Sequence, residues 1–177
     1  MSAQELVGRG KEKFQAGDPE GAIADSTKAI EINPQYVFAY HLRGAAKSGL
    51  GDQQGAIADC SKAIEINPKD ALAYNNRGCV KQALENHQGA ITDYSKAIEI
   101  NPQYSDAYHC RGITKSSLGD HQGAISDYTK AIQINPQYAD AYYLRGIAKD
   151  ELEDYQGAIA DYNKALAINP QHANAYS

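Results

Sequence analysis

The dipeptide Asn-Pro occurs at Asn33-Pro34, Asn67-Pro68, Asn101-Pro102, Asn135-Pro136 and Asn169-Pro170, at one constant interval with no insertion. A period this strict constrains the fold more than composition does. A unit this short cannot bury a core of its own, so consecutive units must stack on one another and share one. Five copies fill residues 3–36, 37–70, 71–104, 105–138 and 139–172, and residues 173–177 begin a sixth.

Inside the fourth copy, apolar or small residues at Ala107, Tyr108, Gly112 and Leu118 are spaced as one face of a helix. Gly119-Asp120 interrupts it. A second helical pattern carries Ala124, Ile125, Tyr128, Ala131, Ile132 and Ile134, and it stops at Asn135-Pro136 because proline lacks an amide hydrogen and disfavours helix in the residue before it. Each copy is a helix, a turn and a helix, and the fold class is all-α. Asp18, Asp52, Asn86, Asp120 and Asp154 stand where they can cap the second helices. Three residues further on, where a capping box favours Glu, the chain has Gly21, Gly55, Gly89, Gly123 and Gly157, which suggests a bulky group against each of them.

The pattern resembles the tetratricopeptide repeat (TPR) family over nearly the whole chain. In the fourth copy the family's aromatic, glycine, small residue, second aromatic, alanine and proline correspond to Tyr108, Gly112, Ala124, Tyr128, Ala131 and Pro136; elsewhere Leu6 replaces the first aromatic, and Ser26 and Cys60 replace the second. The resemblance implies a right-handed superhelical solenoid of five repeats, a single domain over 3–172, with the first helices lining a concave groove. It further implies an adaptor or scaffold that binds a peptide or protein there. A departure from the family is that positions favouring leucine and tyrosine hold Arg9, Arg43, Arg77, Arg111, Arg145 and Lys13, Lys47, Lys81, Lys115, Lys149.

All five arginines of the protein occupy that one repeat position, and Asp25, Asp59, Asp93, Asp127 and Asp161 recur as strictly. In an antiparallel hairpin centred on Gly119, Arg111 and Asp127 stand at the same height. An internal Arg-Asp ladder follows as the expected role, each aspartate paired with the arginine of its own repeat, of the next, or of both. Lys115 is expected to lay its stem beside Gly123. The alternative is a set of cations that grips acidic ligands; a ligand site is not usually copied into every repeat.

A recognition surface is expected where the copies differ. On the first helices one row reads Val7, His41, Asn75, His109, Tyr143, the next Lys11, Ala45, Cys79, Ile113, Ile147, and a flanking row Gln4, Phe38, Leu72, Asp106, Asp140. Phe38, His41, Leu72, Asn75, Cys79, His109, Ile113, Tyr143 and Ile147 are the candidate groove residues. They predict an extended or helical ligand with apolar anchors and a basic flank. Neutral drift at uncritical positions is the competing explanation.

The remaining classes are disfavoured. A net charge of −5 is unlike the basic footprint of a nucleic-acid binder. Cys60, Cys79 and Cys110 fit no zinc or disulfide spacing, and His109 with Cys79 supplies only two ligands, so neither metal nor cofactor is expected. No catalytic motif emerges, and no apolar run is long enough for membrane insertion. A cytoplasmic location is the simplest setting. The second helix of the fifth repeat, with Tyr162, Ala165 and Leu166, is expected to expose a face that earlier copies bury, either because the array continues or because the face packs on another molecule. That gives a rival function, self-assembly as a homo-oligomer through the C-terminal repeat. Lys11, Glu12 and Lys13 give the first repeat the look of a solvent-facing cap.

Overall fold

The computed structural model describes residues 1–170, so the start of a sixth repeat at 173–177 lies outside the described residues. Ten helices are found among them: α1 (Ala3–Gln15), α2 (Pro19–Ile32), α3 (Val37–Gly49), α4 (Gln53–Ile66), α5 (Ala71–Ala83), α6 (His87–Ile100), α7 (Ser105–Ser117), α8 (His121–Ile134), α9 (Ala139–Asp150) and α10 (Tyr155–Ile168). They alternate as the period predicts, two helices of three to four turns in each copy. The fold is an all-α helical repeat solenoid.

The chain divides into two compact units, Met1–Asp93 and the residues from Tyr94 on. In the first, α1 packs on α2 and α3 on α4 as hairpins, while α2 packs on α3 and α4 on α5 to join successive repeats. Its core is built from small residues. Leu6, Ala29 and Ala39 form one cluster, and Tyr40, Ala63 and Ala73 another. The second unit repeats the scheme, with hairpins α7/α8 and α9/α10 joined through α8 and α9. There Ala124, Tyr128 and Ala148 pack together, as do Ala131, Ile132 and Ala141. Alanine on the inner faces lets backbones approach closely.

The second helices are capped as the sequence predicts. Asp18, Asp52, Asn86, Asp120 and Asp154 accept through Oδ1 from the amides of Gly21, Gly55, Gly89, Gly123 and Gly157 at 2.8 to 3.0 Å. The reason for those glycines differs from the expected bulky neighbour. A Cβ at Gly55, Gly123 or Gly157 would run into Oδ2 of the capping aspartate itself. At Gly21 the stem of Lys13 lies there as well. The cap and the glycine are one device, the carboxylate folding over a position that has no side chain.

The first helices end on a residue in the left-handed region. Gly17, Gly51 and Gly119 take it with φ of +81°, +84° and +81°, but in the third and fifth repeats Glu85 and Glu153 hold the same turn at +59° and +63°. A side chain there crowds the following carbonyl and costs about 1 kcal/mol or more, which glycine avoids. Glu85→Gly and Glu153→Gly are each expected to stabilise the chain by up to about 1 kcal/mol, read as a rise in the urea midpoint at unchanged slope.

Candidate functional site

The charged positions of the first helices turn inward. Arg111 on α7 donates through Nε to Asp127 Oδ2 on α8 at 2.9 Å and through a terminal nitrogen to Oδ1 at 2.6 Å, a bidentate fork. Arg43 with Asp59, Arg77 with Asp93 and Arg145 with Asp161 repeat it at 2.6 to 3.2 Å, and Arg9 forks onto Asp25 in the first repeat. Every aspartate takes the arginine of its own repeat, which settles the register among the three open choices. The five carboxylates are only 2–4% exposed.

Each rung has a lysine as a further partner, and four of the five have a hydroxyl as well, neither of which the spacing alone places there. Lys13, Lys47, Lys81, Lys115 and Lys149 place their amines 2.7 to 3.0 Å from the same aspartates, so each lysine is a second cation on a buried carboxylate. The stem can still run by the glycine of the second helix: an added Cβ on Gly21 would meet Lys13 Cδ, and Lys149 Nζ lies 3.4 Å from the Gly157 carbonyl. The other edge of the guanidinium crosses to the preceding repeat: Arg43 donates to Thr27, Arg77 to Ser61, Arg111 to Ser95 and Arg145 to Thr129, at 2.9 to 3.3 Å. The same four arginines lie 5.5 to 5.7 Å over the rings of Tyr40, Tyr74, Tyr108 and Tyr142, one helical turn back. The signal was in the sequence, because a hydroxyl recurs at 27, 61, 95 and 129 as strictly as the arginines do. Arg9, with no preceding hydroxyl and Leu6 in place of the aromatic, is 40% exposed against 15–19% for the others.

The first variable row lies closer to the body than expected. Asn75 is buried, and His41 and His109 are half-buried. Two residues of this row, His41 and His109, meet the position just before the next first helix. Val7 packs in the cluster that includes Tyr36. His41 Nε2 is 2.7 Å from Asp70 Oδ2, whose other oxygen caps α5 through Ala73. His109 stacks on Tyr138 with centroids 4.7 Å apart and tilts against Tyr128 at 6.0 Å. The two histidines are alike, so the difference between their contacts lies in the partner, Asp70 in one and Tyr138 in the other. Tyr143 leans on Tyr162, and Ile113 packs into the cluster of Tyr128. Phe38 at 65% and Leu72 at 43% remain open to solvent at equivalent positions of α3 and α5, with Cys79 exposed beyond them. Ile147 is half-buried on α9.

Among the described residues no helix is long and apolar enough to cross a membrane. On α10 the expected open face is narrower than foreseen. Ala165 is buried and Tyr162 half-buried against α9, while Ile159 and Leu166 are 59% and 39% exposed.

Models described as tetratricopeptide repeat match residues 6–36, 39–70, 71–104, 94–126 and 139–172, and one described as TPR repeat matches 115–149. No curated protein matches the chain. A crystal structure of MamA is 30% identical, covers 93% of this chain and 96% of its own, and superposes with a TM-score of 0.82. The pilF protein of Pseudomonas aeruginosa, at 18% identity, covers 98% of this chain and 79% of its own with a TM-score of 0.89. YrrB, described as a TPR protein with an unusual peptide-binding site, is 23% identical over 96% of this chain and 88% of its own, with a TM-score of 0.75.

The rungs predict a graded response to mutation. Asp127→Leu strands Arg111 and Lys115 together and is expected to cost about 3 to 5 kcal/mol. Arg111→Met leaves Lys115 on the carboxylate and costs less, and the double variant recovers part of the loss in a double-mutant cycle of urea melts. Singles that melt like the parent would sink the ladder.

The acid response has two windows. Burial lowers the His109 pKa from 6.5, against the opposing charges of Asp140 and Asp106. Below 6.5 the unfolded chain therefore binds a proton that the folded chain resists, and stability falls on acidification. Asp25 is held down at about 2 from 3.8, chiefly by the hydrogen bond from Arg9, against burial and with Lys13 assisting. Its contribution is complete above 3.8 and is lost as pH falls through about 2. Melting temperature against pH should show both steps, and His109→Asn should remove the upper one alone.

Proposed function

This chain belongs to the tetratricopeptide repeat family, and on that premise we propose that it is a non-enzymatic adaptor that holds a peptide or protein segment against its first helices. The observation that carries this reading is the contrast between closed and open positions on those helices. The cations are engaged in internal rungs and the variable histidines in contacts between repeats. Phe38 and Leu72, by contrast, stand 65% and 43% exposed on consecutive first helices that pack on one another. Large apolar side chains in register on a rigid scaffold are what an apolar anchor needs.

Charge supports a basic flank on the ligand. The rungs take ten of the 17 lysines and arginines but only five of the 22 acidic residues, so seven basic and 17 acidic side chains remain elsewhere. A surface of that balance attracts cationic segments and repels polyanions such as nucleic acid. YrrB, the fold relative described with a peptide-binding site, is consistent with the same class of role. A cytoplasmic setting belongs to this proposal.

A second reading is favoured by α10. Ile159 and Leu166 are exposed where their equivalents Ile125 and Ile132 on α8 are half-buried and buried. A second copy of the chain covering that face would make the protein a self-assembling scaffold. One experiment separates the two: peptides selected from a random displayed library are measured on the parent, on Phe38→Ser/Leu72→Ser and on Ile159→Ser/Leu166→Ser, with the mass of each followed through dilution. The adaptor reading expects apolar peptides with basic flanks and a loss of about tenfold or more in the first variant alone, tenfold being about 1.4 kcal/mol. Selection that enriches nothing, together with a dimer that only the second variant breaks, would overturn it.

A further inference from the structure

Between α3 and α5 lies a pocket of about 270 Å³ lined by Gly44, Ala45, Ser48, Cys60, Asn76, Cys79 and Val80, with mostly apolar walls. Its origin can be read by laying one repeat of the chain over another. In the fourth repeat the position of Cys60 is held by Tyr128, which is 1% exposed and packs with Ala148, Ile113 and Leu144. The ring lies so close to Gly112 that a Cβ there would sit 2.7 Å from Tyr128 Cε1. The residues around Tyr128 correspond, two repeats earlier, to the walls of the pocket: Gly112 to Gly44, Ile113 to Ala45, Leu144 to Asn76 and Ala148 to Val80.

Three large side chains of the fourth and fifth repeats are small here at once. Cys60 stands for tyrosine, and Ala45 and Cys79 stand for Ile113 and Ile147. The substitution of an aromatic does not by itself leave a void. In the first repeat Ser26 takes the same place, is fully buried and donates to the Ala22 carbonyl at 2.7 Å, and Leu42 of the next repeat reaches in until its Cδ2 lies 3.1 Å from where a Cβ on Gly10 would be. In the second repeat the residue equivalent to Leu42 is Asn76, so nothing comparable fills the space. A Cβ on Gly44 would find Cys60 Sγ only at 3.8 Å. Burial raises the Cys60 thiol to about 11, first by desolvation and then by the charge of Asp59, so the floor of the pocket is a neutral, apolar sulfur.

We propose that this pocket receives an aromatic side chain of the bound partner, a tyrosine ring seated where Tyr128 seats its own in the fourth repeat. The inference rests on the adaptor reading and names its anchor. The volume is ample, since an apolar cavity of about 150 Å³ accepts benzene. The chemistry of the walls selects a phenol over a plain aliphatic chain. Gly44, like Gly112 beside Tyr128, has no side chain to keep a ring away, and the Asn76 carboxamide, in a place held by Leu144 later in the chain, brings a hydrogen-bonding group to the wall beside the Ser48 hydroxyl. Ala45 and Cys79 are both exposed and leave the entrance open on the side of the first helices where Phe38 and Leu72 are exposed.

The probe is p-cresol, the tyrosine side chain alone, titrated into the full chain and followed by amide chemical shifts. Saturable shifts are expected at Gly44, Ala45, Cys79 and Val80. They should vanish in Cys60→Tyr, which fills the pocket with the side chain used by the later repeats and should raise the melting temperature. Should that variant fail to fold, Ala45→Ile/Cys79→Ile alters only exposed positions, to residues the later repeats carry there, and should abolish the shifts equally. Shifts that never saturate, or that persist in the folded variants, overturn the proposal. Because p-cresol needs no partner, its failure is separate from failure of the adaptor reading, which the Phe38→Ser/Leu72→Ser measurements decide alone.

Discussion

The buried aspartate is the constraint on which the rest of the repeat depends. A carboxylate with 2–4% of its surface exposed cannot be left ionised without partners, and each here accepts two hydrogen bonds from an arginine and lies against a lysine amine. That demand fixes three things at once. It fixes the relative height of the two helices of a hairpin, because a slip of one turn would part the fork. It orients the guanidinium so that its outer edge meets the hydroxyl of the preceding repeat. It also places the same guanidinium over the tyrosine one turn back, so the aromatic of the first helix is covered by charge rather than by the family's leucine.

In a chain whose copies are nearly alike, such specificity has a definite use. An all-apolar interface between similar repeats tolerates a shift in register at little cost, since one alanine face resembles the next. The rung resists such a shift through the hydroxyl it takes from the preceding repeat, and its ion pair resists a slip within the hairpin, because displacement strands the charge. Net stabilisation by buried ion pairs is small relative to a well-packed apolar substitute. The rung therefore contributes more to uniqueness than to depth of the energy minimum. The exposed first rung shows the same logic at an edge: Arg9 lacks both the hydroxyl and the ring, yet Asp25 beneath it is as buried as any of the others.

The period, the hairpins, the caps and the pairing of Arg with Asp are legible in the sequence because each depends on spacing; which repeat's arginine each aspartate takes is not. What escaped depends on distance between atoms rather than between positions. Lys115 could be placed on the right face, but nothing in its spacing says whether its amine ends in solvent, beside Gly123 or on Asp127. The glycines after the caps looked like room for a neighbour and are instead room for the capping carboxylate. His41 and Asp70 stand at opposite ends of one repeat, on elements whose contact only the packing of one hairpin on the next creates. The hydroxyl row at Thr27, Ser61, Ser95 and Thr129 keeps the period too, but Ser and Thr are ordinary on a helix surface, so the period alone does not point them at the arginines.

Variation between copies therefore has more than one physical source. At the row of His41 and His109 the side chains close the joint between repeats: a carboxylate faces one histidine and a tyrosine ring the other. At Phe38 and Leu72 the side chains reach solvent, Phe38 with an edge contact to the Tyr36 ring at 5.9 Å. Cys60 is a third kind. It sits at a position that the scaffold does constrain, since Tyr94 and Tyr128 are buried there almost completely, and its neighbours have not grown inward to compensate as Leu42 has beside Ser26. A repeat that gives up a core ring and leaves the space open loses packing that its sister repeats retain. Packing alone gives no account of that loss, whereas a ring supplied from outside would restore it.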